Sequence, residues 1–264
     1  MRLEISLMGV EIILFIIIGA FTGGFVSGLS GFGTGLFALG WWLAVMPPID
    51  AVIVVVIMSL VGGAQGIYAV RKAVDMANLW RFLLPALVGI GVGVWLLDLV
   101  DVNHLKLLVA SLLILFGGYF SFQKTLPKLG RHYLAVDMAV GWIGGVLGML
   151  AGLSGALLTM WVSLYDWPKV QRRAVIQSFN MLVLSLVFML LAWRGLLDVH
   201  ILLLVAIALP SSVVGTQVGI RVFQRLSDQQ FQQILIWLTL ISGLVLAGSE
   251  LAVILGASKF QSFL

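Results

Sequence analysis

Gly23, Gly24, Leu29, Gly31, Leu36 and Pro47 recur as Gly144, Gly145, Leu150, Gly152, Leu157 and Pro168, every pair 121 positions apart without a gap. A chain with such a duplication must use one structural unit twice. The unit is apolar and broken by glycines at matching places. That is the sequence pattern of a transporter whose site lies between two repeats.

The solvent for this unit is lipid. The chain is 61% hydrophobic and only 10% charged, where a soluble domain carries about 25% charged residues. Its net charge of +4 does not indicate nucleic acid, because the cations sit in short loops between apolar runs, as the positive-inside rule describes. There is no cysteine, which excludes disulfides and thiol chemistry. His104, His132 and His200 fall at predicted loops or helix ends, so no metal site is expected. No nucleophile–base pair, HExxH, P-loop or dinucleotide fingerprint is present, and neither enzyme activity nor a cofactor is expected. Residues 5–21 resemble a signal-peptide core, but the apolar run continues past them without a cleavage motif, and they read as a retained helix.

A bilayer crossing takes roughly 20 apolar residues. Apolar segments fall at 8–26, 31–46, 50–70, 77–98 and 104–122, then at 134–151, 153–165, 171–193, 199–221 and 230–256. The polar stretch from Gln123 to His132, with Pro127 and Gly130, separates the sets. The expected organisation is repeat 1 (1–122), a cytoplasmic linker (123–133) and repeat 2 (134–264). In each repeat the second segment is short and follows a glycine cluster. It forms either a bent crossing or the returning arm of a hairpin. Charge arbitrates. With returning hairpins, Arg71, Lys72, Arg81, Lys124, Lys128, Arg131, Lys169, Arg172, Arg173, Arg221 and Arg225 share one face, against Arg2, Lys106, Arg194 and Lys259 on the other. A bent crossing gives a weaker bias, so the hairpin fits better. A hairpin plus three crossings inverts the second repeat relative to the first and puts both termini outside. The expected fold is therefore all-α: a polytopic membrane protein of two inverted repeats. Pro47 and Pro168, and Pro85 and Pro210, are expected to mark corresponding helix starts and bends.

The chemistry is expected at the glycine clusters. The first runs Gly31-Phe32-Gly33-Thr34-Gly35 and the second Gly152-Leu153-Ser154-Gly155. Glycine lets the backbone leave its helical pattern. The N–H groups that a break frees are costly in lipid unless they line a cavity or meet a partner. At the start of the next helix they form an anion site. The same glycines could simply allow close packing, the role expected for Gly19/Gly23, Gly89/Gly93 and Gly215/Gly219. Beside the tips stand Ser30, Thr34, Ser154 and Thr159, then Ser59 and Gln65 in the first repeat and Gln177, Ser178 and Asn180 in the second. Ser59 and Asn180 again lie 121 apart. Hydroxyls and amides donate to anion oxygens without a permanent charge, and equally bond helix to helix. Ser211, Ser212, Thr216 and Gln217 form a polar stripe that could line the same cavity. Arg71 and Arg194 end corresponding helices and could attract anions at two mouths. Glu11, Asp137 and Glu250 lie near helix ends and are expected to reach water.

The twofold repeat, the glycine tip followed by a proline-marked turn, and the helix ending in a basic pair and short acidic loop (Arg71-Lys72-Ala73-Val74-Asp75; Arg194 to Asp198) resemble the sulfite exporter TauE/SafE family over residues 10–255. The family's tip is richer in glycine, and its Thr-Ser pair after the turn is replaced here by Met58-Ser59 and Phe179-Asn180. The resemblance implies transport of sulfite, organosulfonates or related small anions across a bacterial inner membrane. The partners expected are thus a small anion and the lipid bilayer; homo-oligomerisation stays open. An anion channel and a membrane-embedded assembly subunit are the rival readings.

Overall fold

The computed structural model describes residues 9–96, 102–121 and 133–254, all of them helices and short connections. Residues 123–132 of the expected linker, Arg2, Lys259 and the side chains of Lys106 and Glu250 lie outside what is described. The helices are α1 (Val10–Ser30), α2 (Thr34–Trp42), α3 (Pro48–Val70), α4 (Met76–Leu96), α5 (Val102–Ser121), α6 (Leu134–Ala151), α7 (Gly155–Val162), α8 (Lys169–Trp193), α9 (Val199–Arg225) and α10 (Asp228–Ile254). Six of them, α1, α3, α4, α6, α8 and α9, are long and apolar enough to cross a membrane. Large apolar side chains point outward all along them, including Leu84, Val88, Val214 and Leu202. Such a surface needs lipid. Trp95 and Trp193, both highly exposed near helix ends, suit the headgroup boundary. The chain is a multi-pass membrane protein.

Local sequence sets the helix ends. Pro47 and Pro168 are both N-caps, of α3 and α8. Pro85 and Pro210 lie inside α4 and α9. Asp198 caps α9 by accepting the Ile201 N–H at 2.8 Å, a contact worth about 1 kcal/mol. Gly31 and Gly152 end α1 and α6 in left-handed conformation, at φ 88° and 67°, which side chains resist.

The short helices fold back on the long ones. A Cβ at Gly23 would lie 2.9 Å from Thr34 O, and the Trp42 indole N–H donates to Ile16 O at 3.2 Å. Partners therefore move down α1 as the chain moves up α2, and the two form an antiparallel hairpin. In the second repeat, Gly144 meets Ser154 while Trp161 reaches back to Asp137. The hairpin expectation holds, with arms of 21 and 9 residues in the first repeat.

The repeats exchange partners. The fourth helix of each, α9 or α4, packs along the first helix of the other, α1 or α6. Glycines make both seams. A Cβ on Gly24 or Gly28 would strike the backbone of Ser212 or Thr216, and one on Gly215 or Gly219 that of Phe21 or Phe25. In the other seam Gly89 faces Trp142, Gly141 faces Phe82 and Gly145 faces Ala86, again backbone to backbone. Lipid tails are as apolar as leucine, so close approach and dispersion replace the hydrophobic effect here. The polar stripe of α9 belongs to this seam: Ser211 Oγ donates to Ile17 O at 2.8 Å, and Ser212 and Thr216 lie on Gly24 and Gly28. It does not line the cavity described below, because glycines on α1 draw that face of α9 onto its backbone.

The remaining like helices pair with each other, α3 with α8 and α5 with α10. Both pairs run antiparallel: Gly63 and Gly66 meet Met181 and Gln177, while Ser59 shares a cavity with Asn180. Gly117 meets Leu240, and Gly243 meets Ile114 and Ala110.

Gly145→Ala places a methyl against the Ala86 carbonyl and should destabilise by roughly 1–3 kcal/mol. Gly91→Ala, where a Cβ meets nothing within 4 Å, should be neutral or stabilise by up to about 1 kcal/mol. Thermal unfolding of the two purified variants checks the pair; equal melting temperatures would contradict the seam.

Candidate anion site at the glycine tips

Beyond Gly31 the chain makes a tight reversal. Gly33 is also left-handed (φ 96°) and is the N-cap of α2, with no side chain capping it. The first bond of α2 is Phe37 N–H to Gly33 O at 3.2 Å. The amides of Thr34, Gly35 and Leu36 precede it, as the first N–H groups of a helix always do. The second tip spends its donors differently. Gly152 N–H returns to Gly148 O and Leu153 N–H to Leu147 O, a Schellman closure, and Ala156 N–H reaches Leu153 O. Tip 1 therefore offers more backbone donors than tip 2.

The tips interlock reciprocally. A Cβ on Gly155 would lie 2.8 Å from Phe32 Cβ, and one on Gly35 would lie 3.2 Å from Leu153 Cδ2. Phe32 and Leu153 are themselves 121 residues apart. Between the tips is a cavity of about 10 Å³ lined by Gly33, Thr34, Gly35, Ser59, Gly152, Gly155 and Asn180, with apolar walls from Phe32, Leu36, Leu153 and Ala156. That volume holds about one water, too little for a sulfite or sulfonate. Ser154 Oγ donates to Asn180 Oδ1 at 2.5 Å and aims the amide. Thr34 Oγ1 is buried with no partner among the described residues. In lipid such a hydroxyl is costly unless a ligand meets it.

Of the residues singled out from sequence, the structure gathers Gly33, Thr34, Gly35, Ser59, Gly152, Gly155 and Asn180 around one cavity, with Ser154 bonded to Asn180. Gly31 and Gln177 stand one layer away. Gln177, fully buried, packs on Gly63 and Gly66 and donates to Gly63 O at 3.4 Å. Gln65 is not at the cavity; it is half-buried and bonds to Val61 O in its own helix. Arg71 and Arg194 lie at the C-terminal ends of the antiparallel α3 and α8. Arg71 covers the Tyr68 ring at 4.1 Å and lines a crevice of about 320 Å³ with Lys72 and Val170. Arg194 is exposed.

Three buried charges, Asp137, Arg172 and Arg173, depart from the sequence reading. Asp137 is 1% exposed, not solvated. The second hairpin folds back over it, so the Trp161 indole N–H and Tyr165 hydroxyl both donate to Oδ1 at 2.7 Å. Burial and then that hydrogen bond push the Tyr165 hydroxyl up to about 12. The expected loop cations Arg172 and Arg173 are 4% and 0% exposed, and Arg172 Nε and Nη1 have no partner among the described residues. Arg173 is the more deeply buried. Its Nε and both terminal nitrogens find no acceptor among the described residues.

A larger hollow, about 740 Å³, is an apolar groove between α4 and α6 lined by Trp80, Leu84 and Trp142. Its walls suit acyl chains rather than an anion.

A family profile described as "Sulfite exporter TauE/SafE" matches residues 15–246. A Cupriavidus necator protein named "Probable sulfite/organosulfonate exporter TauE" is 27% identical over 228 residues, covering 83% of this chain and 85% of that protein. A Haemophilus influenzae protein named "Probable membrane transporter protein" is 25% identical over 227 residues, covering 80% and 85%. No solved structure gives a significant match.

If the tips press on each other as described, Gly155→Ala should destabilise the protein and Phe32→Ala should relieve it in the double variant. A thermal-melting cycle should give a coupling of about 1 kcal/mol; strict additivity would separate the tips.

Proposed function

The chain belongs to the sulfite exporter TauE/SafE family of membrane transporters, and we propose that it exports sulfite or a small organosulfonate through the site between the two glycine tips. The observation that carries this is the convergence of two broken helices on one cavity, lined by Gly33, Thr34 and Gly35 of tip 1 together with Ser59 and Asn180. These donors are neutral, fixed and shielded from water. Three sulfonate or sulfite oxygens can accept from them without a counter-ion locking the ligand in place. No catalytic constellation accompanies the cavity, and the protein's task in this reading is passage, not chemistry.

The small cavity favours a carrier over an open pore. A pore keeps a continuous path for its ion, whereas this cavity has room for about one water. The antiparallel run of α3 against α8 and of α5 against α10 supports inverted repeats, whose tips would approach from opposite faces. The moving bodies follow the glycine seams rather than the repeat boundary. In our reading α1 travels with α9, and α4 with α6, sliding the tips apart. The excess of Lys and Arg at one end supports a cytoplasmic face there, with the protein in the inner membrane. A membrane 100 mV negative inside favours exit by about 2.3 kcal/mol per negative charge. Export then requires no coupling ion.

Proteoliposomes loaded with sulfite or ethanesulfonate test the reading. Substrate on the far side should accelerate uptake of labelled substrate, and flux should saturate. Ser59→Ala combined with Asn180→Ala should abolish exchange at unchanged yield of folded protein. Flux indifferent to far-side substrate would instead assign a channel, and unaltered exchange by the double variant would remove those two residues from the site.

A further inference from the structure

We propose that Arg173 is an anion-binding residue, a station that takes the substrate's charge between the mouth beside Arg71 and Lys72 and the cavity at the tips. The inference rests on the transport reading above and supplies the cation that the neutral tip site lacks.

The first observation is an imbalance. Arg173 is 0% exposed, yet Nε and both terminal nitrogens have no acceptor among the described residues. Its guanidinium lies 4.2 Å over the Phe223 ring. An aromatic face offsets part of the charge, but it leaves the N–H fork unbonded. Lys169, one turn earlier, shows what a structural cation does here: it donates to the carbonyls of Leu226 and Phe223. Arg173 makes no such bond among the described residues. A buried ion without hydrogen bonds is a large cost in any fold, and an ionisable group within a membrane helix is by default a functional one.

The second observation is position. Arg173, Gln177 and Asn180 fall at i, i+4 and i+7 of α8, on one face of the helix. Asn180 lines the tip cavity. A Cβ on Gly31 would meet both Arg173 Cγ, at 3.4 Å, and Gln177. Arg173 thus sits directly behind the first tip, about 10 Å along α8 from Asn180 at 1.5 Å per residue. The crevice holding Arg71 and Lys72 includes Val170, one turn before Arg173. Surface cations, a buried guanidinium and the neutral tip donors therefore follow one another along α8.

The third is chemical fit. A guanidinium fork binds two oxygens of a sulfite, sulfonate or similar oxyanion in parallel. The resting stack on Phe223 keeps the fork in place without an acceptor that an arriving anion must displace. On binding, the guanidinium leaves the ring and turns to the ligand beside Gly31.

Purified protein in nanodiscs, at constant ionic strength set by chloride, tests this with sulfite and ethanesulfonate as probes. Both should raise the melting temperature of the wild type. Arg173→Met should weaken binding on the order of 10- to 100-fold, the range of a charge-assisted hydrogen bond. Its ligand-free melting temperature should stay the same or rise, because an apolar side chain replaces an unsatisfied ion. Arg173→Lys, keeping charge without the fork, should fall between. Undiminished binding by Arg173→Met overturns the proposal. If Ser59→Ala/Asn180→Ala then still loses binding, the tip site stands alone. Absence of binding by the wild type itself overturns both readings. Should Arg173→Met fail to fold, a structure of the wild type with selenite decides: density within hydrogen-bonding distance of the guanidinium supports the station, and density confined to the tips overturns it.

Discussion

The structure depends on two places where backbone touches backbone across the repeat boundary. Gly24, Gly28, Gly215 and Gly219 join α1 to α9; Gly89, Gly141 and Gly145 join α4 to α6. In lipid, helices gain little by hiding apolar surface from one another. What holds them is the sum of many short contacts, available only where side chains are absent. The tips are carried at the ends of α1 and α6. Their meeting is therefore a consequence of the seams, and the cavity exists only where both seams close.

The two tips are related by sequence but not equal in chemistry. Two left-handed glycines in tip 1, Gly31 and Gly33, leave three helix-start amides ahead of the first bond of α2. Tip 2 has one, Gly152, and folds its amides back onto α6. In return it contributes Ser154, which orients Asn180. One half supplies backbone donors and the other a positioned side chain. An exact duplication would have given two identical tips; the divergence of Thr34 from Gly155 and of Ser59 from Asn180 makes the two sides of the cavity unlike.

Much of this was legible in the amino-acid order. A fixed offset paired Ser59 with Asn180 and Pro47 with Pro168, and those positions meet or match in space. Glycine clustering located the breaks, and charge bias selected a hairpin over a bent crossing. The misreadings share one physical cause. Distance from a helix end measures depth along one axis and says nothing of lateral neighbours. Arg173 and Asp137 stand near the ends of α8 and α6, and both seemed bound for water. The aromatic face of Phe223 covers the first, and the returning hairpin with Trp161 and Tyr165 covers the second. The stripe Ser211, Ser212 and Thr216 misled for the same reason, since its partner is a glycine face on a helix far away in the chain. Among the described residues Gln65 bonds only within its own helix, and hydrophilic character alone does not bring a residue to a cavity.

The bond from Ser211 to Ile17 joins residues 194 apart, and that span bears on how the protein is made. Synthesis proceeds from the N-terminus, and early elements wait for late ones. The α4–α6 seam can close while the ribosome is still at work. The α1 helix has α2 folded against it early, but its Gly24–Gly28 face has no partner until α9 emerges. Until then tip 1 lacks the seam that places it. Assembly of the cavity between the tips therefore waits on the fourth helix of the second repeat.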